Sequence, residues 1–521
     1  MKRINRNGGN WQCIACPTML FHFLFIVLFL DVCHGQDRMA PVIGDRPFFM
    51  DSVVHQVNLY DIGHNTAALY EDSRTRALRV GQFTDYSDGD YYWPLHAETV
   101  IEQNYFAGTV YPLSENDVFK GYFYYRRQND HNVQWVDQSR WLQSNPFLLG
   151  DSSRGDFTLN GIHWGGEWAR RVNQHWLFGL GVHYSVGQRL KKVFPKPLNK
   201  YRDLNLTAGV MYRADRWQVG FNYRYFNQQE KVEISRYNLN QDITPVIYKF
   251  RYTDLPEIRR GQTSEERQLD RIGHEASGQW LWKTSFVHWL GHLRYAVFTA
   301  GTRDGGIQKE KEGDWDTHLY NAALIMIKQT TEWKGYLSYH FARDAHTAYH
   351  PLFQFLIMEK AASRHQFTLG GQLNVTKNCK LFTDLLYWYH GAFKEDLMLN
   401  NFWQLKGHGY GLKGGMLYTW GNRWQAAAWM GTAVLDNQCQ KRSENIYERT
   451  YFNLLYRDPL NYYLADTQRY NLGLQITYKY LPVLETHLLL SAQTISGEEP
   501  SALTKSRVTL NGQVIIDLFI F

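Results

Sequence analysis

The clearest feature of this chain is a two-residue alternation of apolar and polar positions. From Trp217 to Tyr225 every second residue is aromatic or aliphatic, and the residues between them are polar or glycine. The same alternation runs through 176–187, 204–213 and 469–480, with one break in the first of these. Successive side chains of a β-strand point to opposite faces, so each segment predicts a strand with one apolar and one polar face.

The length of these segments and the rhythm of their connections predict a membrane barrel rather than a soluble sandwich. The segments are longer than the five or six residues typical of soluble strands. Short connections are predicted near Val172, Ala214, Val287, Thr330, Lys377, Gly421 and Pro482. Long connections are predicted at 190–200, 230–271, 304–315, 394–406 and 437–465. Short turns alternating with long loops are typical of transmembrane barrels, whose closed sheets satisfy every backbone polar group within the bilayer.

Counting the connections gives the size of the predicted barrel. The seven short turns imply fourteen strands, a last strand over 505–521 is the fifteenth, and one strand within 118–128 closes the cylinder. The turn near His288 has no typical turn residue, and without it the count falls to fourteen. The predicted fold is therefore an all-β, transmembrane antiparallel β-barrel of 14–16 strands, with 16 favoured and an N-terminal plug or periplasmic segment.

The N-terminus has the pattern of a cleaved secretory signal. Lys2, Arg3 and Arg6 precede a mainly apolar run over 19–30, which is too short to span a bilayer as a helix. The predicted division is a signal peptide at 1–35, an N-terminal segment at 36–117 with room for an early strand, and the transmembrane barrel at 118–521.

Across most of the mature chain this pattern resembles Gram-negative outer-membrane barrels of an uncharacterised family. The terminal aromatic Phe521 resembles the signal by which the outer-membrane assembly machinery recognises a last strand, although here it falls on the polar phase. The resemblance implies an outer-membrane location, with outer-membrane lipid and the assembly machinery as partners.

A second resemblance lies near the N-terminus. The run His64-Asn65-Thr66-Ala67-Ala68-Leu69 resembles the Asn-Pro-Ala-x-Leu motif of long-chain fatty acid transporter-like barrels, with Thr66 in place of proline. Those barrels place an N-terminal hatch in the lumen, and the resemblance implies the same here. The alternative is a short helix that plugs the periplasmic mouth or lies in the periplasm.

The composition excludes several other classes of protein. The 521 residues are 16% aromatic and their mean hydropathy is -0.47, which excludes a disordered chain and a helical membrane protein. A net charge of +6 is too small to indicate nucleic-acid binding. Inward glycines at Gly161, Gly165, Gly179, Gly181 and Gly187 predict the close approach of a plug or another strand, or strong curvature of the sheet.

Catalytic motifs are weak, so the chain is not predicted to be an enzyme and no catalytic, cofactor or metal site is assigned. Outer-membrane phospholipases use a His and a Ser two residues apart, whereas His274 and Ser277 are three apart and fall on opposite faces. The pairs Asp344 with His346 and Asp384 with His390 are of a kind that arises by chance among 20 histidines and 50 acidic residues.

The polar phase of the strands supplies the candidate lumen-lining residues. They are His163, Glu167, His183, Gln218, Asn222, Arg224, Lys413, Arg469, Gln475 and Lys479. They either line a solute path or form the self-satisfied polar interior that any barrel has.

A barrel of about sixteen strands needs a lumen or a plug, because only about eight strands can be filled by side chains alone. The predicted function is a channel or gated transporter for a small solute, hydrophobic solutes included. The alternative is a plugged barrel that acts as a surface-binding or complex-anchoring structural module, with a surface or periplasmic protein as its partner.

Overall fold

The computed structural model describes residues 60, 64–72, 77–92, 95–139, 145–235, 246–250, 256–260, 265–306, 308–352, 355–398, 401–443, 465–481, 484–498 and 504–519. A single 3-10 turn, Thr66–Ala68, runs into the short helix α1, Leu69–Asp72. None of the helices in these residues is both long and apolar enough to cross a bilayer.

Twenty-one strands follow α1 in chain order. They are β1 (Ala77–Gly89), β2 (Thr99–Pro112), β3 (Asp117–Val133), β4 (Leu149–Asp151), β5 (Gly155–Arg171), β6 (Trp176–Lys191), β7 (Lys196–Arg213), β8 (Trp217–Ser235), β9 (Val246–Phe250), β10 (Pro256–Arg260), β11 (Glu265–Lys283), β12 (His288–Asp304), β13 (Glu310–Gln329), β14 (Trp333–Tyr349), β15 (Leu356–Asn374), β16 (Cys379–Asp396), β17 (Asn401–Trp420), β18 (Trp424–Ser443), β19 (Asp466–Leu481), β20 (Leu484–Glu498) and β21 (Thr504–Phe519).

Eighteen of these strands form one closed antiparallel sheet. Each strand of the barrel pairs with the next barrel strand in sequence, and β4, β9 and β10 form a separate small sheet. The cylinder is closed by β1 and β21, which pair from Ala77↔Phe519 to Gly89↔Arg507. A closed sheet has no free edge, which is the condition for burying strands in hydrocarbon.

The predicted count of 16 strands is wrong, and the two missing strands are β1 and β2. Both lie within the segment 36–117. Their alternation is blurred because Phe83 and Phe106 point inward, with ring centroids 6.4 Å apart, while Gln82 and Gln103 occupy the outward phase.

The other predicted strands and the short turns are present, but the long connections predicted at 190–200, 304–315 and 394–406 are wrong. Strand structure extends into these ranges and leaves only residues 192–195, 305–309 and 397–400 between the strands. All seven predicted short turns fall between consecutive strands. The strand predicted within 118–128 is β3, but it pairs with β2 and β5 and does not close the cylinder. The terminal aromatic Phe521 lies outside the described residues.

The two ends of the barrel differ. One end carries the short connections, the start of β1 and the end of β21, and we call it the short-connection end. The other carries the longer loops and the small sheet, and we call it the loop end. Exposed tryptophans ring the short-connection end, namely Trp176, Trp217, Trp282, Trp333, Trp420 and Trp424.

Towards the loop end, the outer surface carries a repeated pair in which a tyrosine hydroxyl bonds a histidine Nδ1 on the neighbouring strand. The four pairs are Tyr223 with His274, Tyr295 with His318, Tyr339 with His365 and Tyr387 with His408, at 2.7–2.9 Å. Exposed apolar side chains such as Phe221, Leu385 and Leu412 lie between these pairs and the tryptophans. An apolar band between two aromatic girdles is the outer surface of a transmembrane barrel.

Candidate functional site

The N-terminal segment, residues 64–72, lies inside the barrel near the short-connection end. Its Asn65 is fully buried (0%) and caps the 3-10 turn through its side-chain oxygen. Asn65 Nδ2 donates to Gln279 Oε1 at 2.9 Å and reaches the carbonyl oxygens of Val210 and Phe221 at 3.3 Å. One asparagine thus ties the segment to three strands of the wall.

Glycines in the wall make room for this contact. A Cβ on Gly179 would lie 2.2 Å from the carbonyl carbon of Thr66. A Cβ on Gly209 would lie 2.3 Å from Asn65 Oδ1, and one on Gly220 would lie 2.5 Å from Asn65 Nδ2. Only glycine allows backbone and asparagine to approach β6, β7 and β8 this closely.

The close approach predicted from the inward glycines therefore has two sources. At Gly179 the N-terminal segment lies against the strand, whereas at Gly181 the nearest atom is Thr207 Oγ1 on β7, at 2.4 Å, and Thr66 Cγ2 is 3.3 Å away. At Gly161 and Gly187 the space is taken instead by the hydroxyl of Tyr201, at 2.3 and 2.4 Å from the position a Cβ would occupy.

Apolar packing supports the same contact. Ala67, Ala68 and Leu69 are buried to 0% against inward apolar residues of the barrel, including Leu177 and Met211. Fully burying one leucine side chain contributes roughly 1.5–3 kcal/mol. The N-terminal segment is thus held by a small apolar cluster as well as by hydrogen bonds.

Charged and polar anchors surround this cluster. The Tyr60 hydroxyl donates to Glu167 Oε2 at 2.9 Å and accepts from the Lys120 ammonium. Glu71 pairs with Arg213 at the end of β7. These contacts link the chain before and after Asn65 to the barrel wall.

His64 precedes the helix in a left-handed conformation, with φ 48°, which residues other than glycine adopt infrequently. Its N–H donates to the Tyr60 carbonyl at 2.8 Å. Burial first, and the positive charge of Arg224 second, lower the pKa of His64 to about 4. His64 is therefore neutral at ordinary pH, and its protonation opposes docking of the segment.

The interior above the N-terminal segment is filled by paired charges. Lys191 Nζ lies 2.6 Å from Asp151 Oδ2 and 3.8 Å from Asp137, all three nearly fully buried. Burial and the neighbouring Asp151 carboxylate raise the pKa of Asp137, which lies in the loop after β3.

A second buried network closes the loop end. Arg267, with its side chain 1% exposed, makes a bidentate pair with Asp304 at 2.7 and 2.8 Å and donates to the Phe147 carbonyl at 2.8 Å. Phe147 itself packs among Trp315 and other buried apolar residues.

We call the inward faces of β3, β5 to β8 and β11 the filled wall.

The inward faces of β14 to β19 form a different surface, which we call the basic wall. Lysine and arginine outnumber aspartate along its strands. Its charged residues are Lys334, Asp344, Lys360, Arg364, Lys380, Asp384, Lys394, Asp396, Lys413, Arg469 and Lys479.

The ten predicted lumen-lining residues divide between these walls, and all of them occupy the inward phase of their strands. The filled wall carries His163, Glu167, His183, Gln218, Asn222 and Arg224, and the basic wall carries Lys413, Arg469, Gln475 and Lys479. Glu167 and Asn222 contact the N-terminal segment or Tyr60 directly. A role for any of the ten in a solute path stays a prediction.

Sequence reasoning missed three residues that matter in the structure. Tyr60, Asn65 and Arg364 were not among the candidates, although Asn65 lies within the motif noted above. Asn65 had a local signal in that motif. For Tyr60 and Arg364 no local signal exists, because their neighbours come from strands far away in sequence.

The weak catalytic pairs are placed as follows. His274 is exposed on the outer surface and Ser277 is buried inside, so they cannot act together. His346 Nε2 bonds Asp344 at 2.9 Å and its Nδ1 bonds the Thr317 hydroxyl at 3.0 Å. Thr317 is 1% exposed, which denies a substrate access to its hydroxyl.

Asp384 accepts from the Tyr336 hydroxyl at 2.6 Å rather than bonding His390. In the described part of the chain, no group of three or more His, Cys, Asp or Glu residues has an arrangement that would hold a metal ion.

Comparison with known proteins gives one family match. Residues 66–514 match the model of a family described as "Family of unknown function (DUF6850)". No curated protein sequence matches the chain.

Solved structures give distant similarities. The outer membrane transporter YddB from Escherichia coli is similar at 8% identity and a TM-score of 0.39, covering 86% of this chain and 81% of that chain. The copper transporter OprC is similar at 8% identity and a TM-score of 0.43, covering 85% of this chain and 80% of that chain. The toluene transporter TbuX from Ralstonia pickettii is similar at 9% identity and a TM-score of 0.33, covering 91% of this chain and 97% of that chain.

Proposed function

Because the chain belongs to the DUF6850 family, described only as of unknown function, we propose its role from the barrel itself: an outer-membrane transporter of a small solute whose N-terminal segment is a hatch. The membrane location is supported by the exposed apolar band and its two aromatic girdles. Side chains such as Phe221, Leu385 and Tyr410 are about half exposed or more, which suits lipid and not water.

The observation that carries the proposal is the docking of Asn65 in the glycine-lined part of the filled wall. A residue buried to 0% with three strand contacts holds the N-terminal segment at one specific place in the lumen. The described contacts of this short segment with the wall are hydrogen bonds, an ion pair and apolar packing, and none of them belongs to the strand pairing of the barrel. Release would uncover the glycine-lined wall at the short-connection end.

Planar-bilayer conductance tests this proposal. The chain lacking residues 1–35 would be refolded and compared with a variant that also lacks residues 36–75. This second deletion ends just before β1. We expect low, intermittent conductance for the first and steady conductance for the second, because the second has no hatch.

The other outcomes contradict the proposal in different ways. Equal steady conductance in both proteins would mean an ungated pore. Silence in both, with the barrel shown to be folded, would favour the filled structural module that displays its loops to a partner.

A further inference from the structure

The basic wall contains a cluster of nitrogen donors that the gating proposal does not use. Arg364 on β15 lies directly beside His390 on β16, which pairs in register with Gly407 on β17, and Gly407 pairs with Asn437 on β18. The four residues form one row across four neighbouring strands. Their side chains occupy the inward phase, so the row faces the lumen.

Gly407 brings the two halves of this row together. A Cβ there would lie 2.4 Å from His390 Cε1 and 2.3 Å from Asn437 Oδ1. The absence of a side chain therefore leaves space on β17 into which both the His390 ring and the Asn437 amide extend. Arg469, on β19, lies close enough for its charge to act on both His390 and Arg364.

Both arginines occupy the inward phase of the basic wall, and neither has a carboxylate partner in the part of the chain that the structure describes. Among the described residues neither forms an ion pair, and the side-chain hydrogen bond of Arg364 is to Gln366 Oε1 at 2.9 Å. Arg469 Nε is a buried donor with no hydrogen-bond partner in the described part of the chain. By contrast, Arg294 and Arg224 flank Glu275 at 2.8 and 3.6 Å.

Like charges that converge without a counter-ion are unfavourable unless an anion binds between them. Arginine guanidinium groups bind carboxylate and phosphate oxygens through two parallel N–H bonds. Arg364 is exposed to the lumen, so a solute can reach the cluster from water.

We propose that Arg364, His390 and Arg469 form an oxyanion-binding site in the lumen, and that the transported solute carries a carboxylate or phosphate group. This inference rests on the proposed transport function and narrows its substrate class. Lys413, on the same wall and nearer the short-connection end, continues the positive surface along the path.

The test uses the chain without residues 1–75, so that the hatch does not limit conduction, and measures the reversal potential in a KCl gradient. We expect anion preference, which the double variant Arg364→Gln and Arg469→Gln lowers by about threefold or more, as expected for rings of charge that set pore selectivity. The matched control is Lys200→Gln, an exposed residue at the loop end of β7. It removes a positive charge outside the lumen and should leave selectivity unchanged.

Binding is measured separately on the full chain without residues 1–35, by calorimetry with inorganic phosphate and with acetate as probes. The two probes distinguish phosphate from carboxylate recognition. The Arg364→Lys and Arg469→Lys double variant keeps the charge but loses bidentate geometry, so we expect it to retain anion preference and to bind the better probe about tenfold more weakly, a loss of about 1.4 kcal/mol.

Two results would overturn the inference. One is conductance without anion preference, unchanged by the glutamine variants. The other is failure of both probes to bind the folded parent chain. Absence of conductance together with probe binding that the glutamine variants abolish would instead refute transport and leave the oxyanion site standing.

Discussion

The filled wall and the basic wall are built from the same kind of antiparallel strand, yet they solve the problem of a polar interior in opposite ways. On the filled wall Arg189, Arg213 and Arg267 each pair with a carboxylate, and Gly179, Gly209 and Gly220 contact the N-terminal segment. On the basic wall Gly407 leaves space for the side chains of His390 and Asn437, and Arg364 and Arg469 form no ion pair among the described residues. The filled wall thus holds the N-terminal segment, whereas the basic wall is the side on which we propose that a solute binds.

The largest expected effect comes from breaking the filled wall at Arg267. Replacing Arg267 by Met leaves Asp304 with Lys249 alone and removes the bond to the Phe147 carbonyl. Loss of one partner of a buried pair costs about 3–5 kcal/mol. The measurement is urea unfolding in detergent, followed by tryptophan fluorescence.

Lys200→Met is the matched control for Arg267. Lys200 pairs with Glu233 on an exposed part of the sheet, where such pairs contribute about 0–1 kcal/mol. Equal losses for the two variants would show that the filled wall is not stabilised by its buried charges.

Gly179→Ala should weaken docking of the N-terminal segment, which we propose to be the hatch. Its Cβ would lie 2.2 Å from Thr66, and overpacking of this kind costs about 1–3 kcal/mol. We expect open probability in planar bilayers to rise about tenfold or more, towards that of the chain without residues 36–75, since 1.4 kcal/mol is a factor of about ten.

Gly278→Ala provides the comparison, because Gly278 is a strand glycine whose Cβ would meet nothing within 4 Å. If both alanine variants conduct alike, the hatch does not depend on the glycine-lined wall.

Asn65→Ala tests the hydrogen bonds of the hatch rather than its fit. It removes the donor to Gln279 and the cap of the 3-10 turn. Leaving the buried Gln279 side chain without its donor costs about 1–3 kcal/mol. Open probability should therefore rise, but by no more than in the Gly179→Ala variant. Tyr70→Phe loses a bond to the Glu115 carbonyl that is exposed, and should change open probability much less.

The smallest expected effect is a pH dependence of gating. His64 has a pKa of about 4 in the docked segment and about 6.5 when free. The folded pKa is the lower one, so docking has its full strength above pH 6.5 and weakens as the pH falls towards 4. Open probability should rise over that range.

The His64→Gln variant should lose that part of the pH response while Arg224, Glu167, Lys120 and Arg294 stay in place around position 64. A response that is identical in the variant would assign the titration to another group.

How much of this was predictable follows from the range of each interaction. Alternation between Trp217 and Tyr225 is local and predicted a strand with the correct inward face. The count of 16 failed because Phe83 and Phe106 face inward, so tertiary packing between β1 and β2 overrides the two-residue pattern.

The candidate site was predictable only where the signal was local. The motif at Asn65 and the inward glycine Gly179 predicted a close contact inside the barrel, although not which strand it involves. Arg364 and Arg469 are on strands separated by three others, and only the strand order of the sheet places both on one wall.

The pairing of β1 with β21 also determines when the barrel can close during synthesis and folding of the chain. Asp85 and Asn511, joined by a hydrogen bond, stand 426 residues apart in sequence, and the bidentate contact of Arg79 with Asp517 spans 438. Contacts of this span form only when almost the whole chain is present. Until β21 is made, every earlier stretch is an open sheet with two unpaired borders. Pairing of β1 with β21 is therefore the last step of barrel closure. A chain that lacks β21 would reach the membrane unable to form a closed barrel.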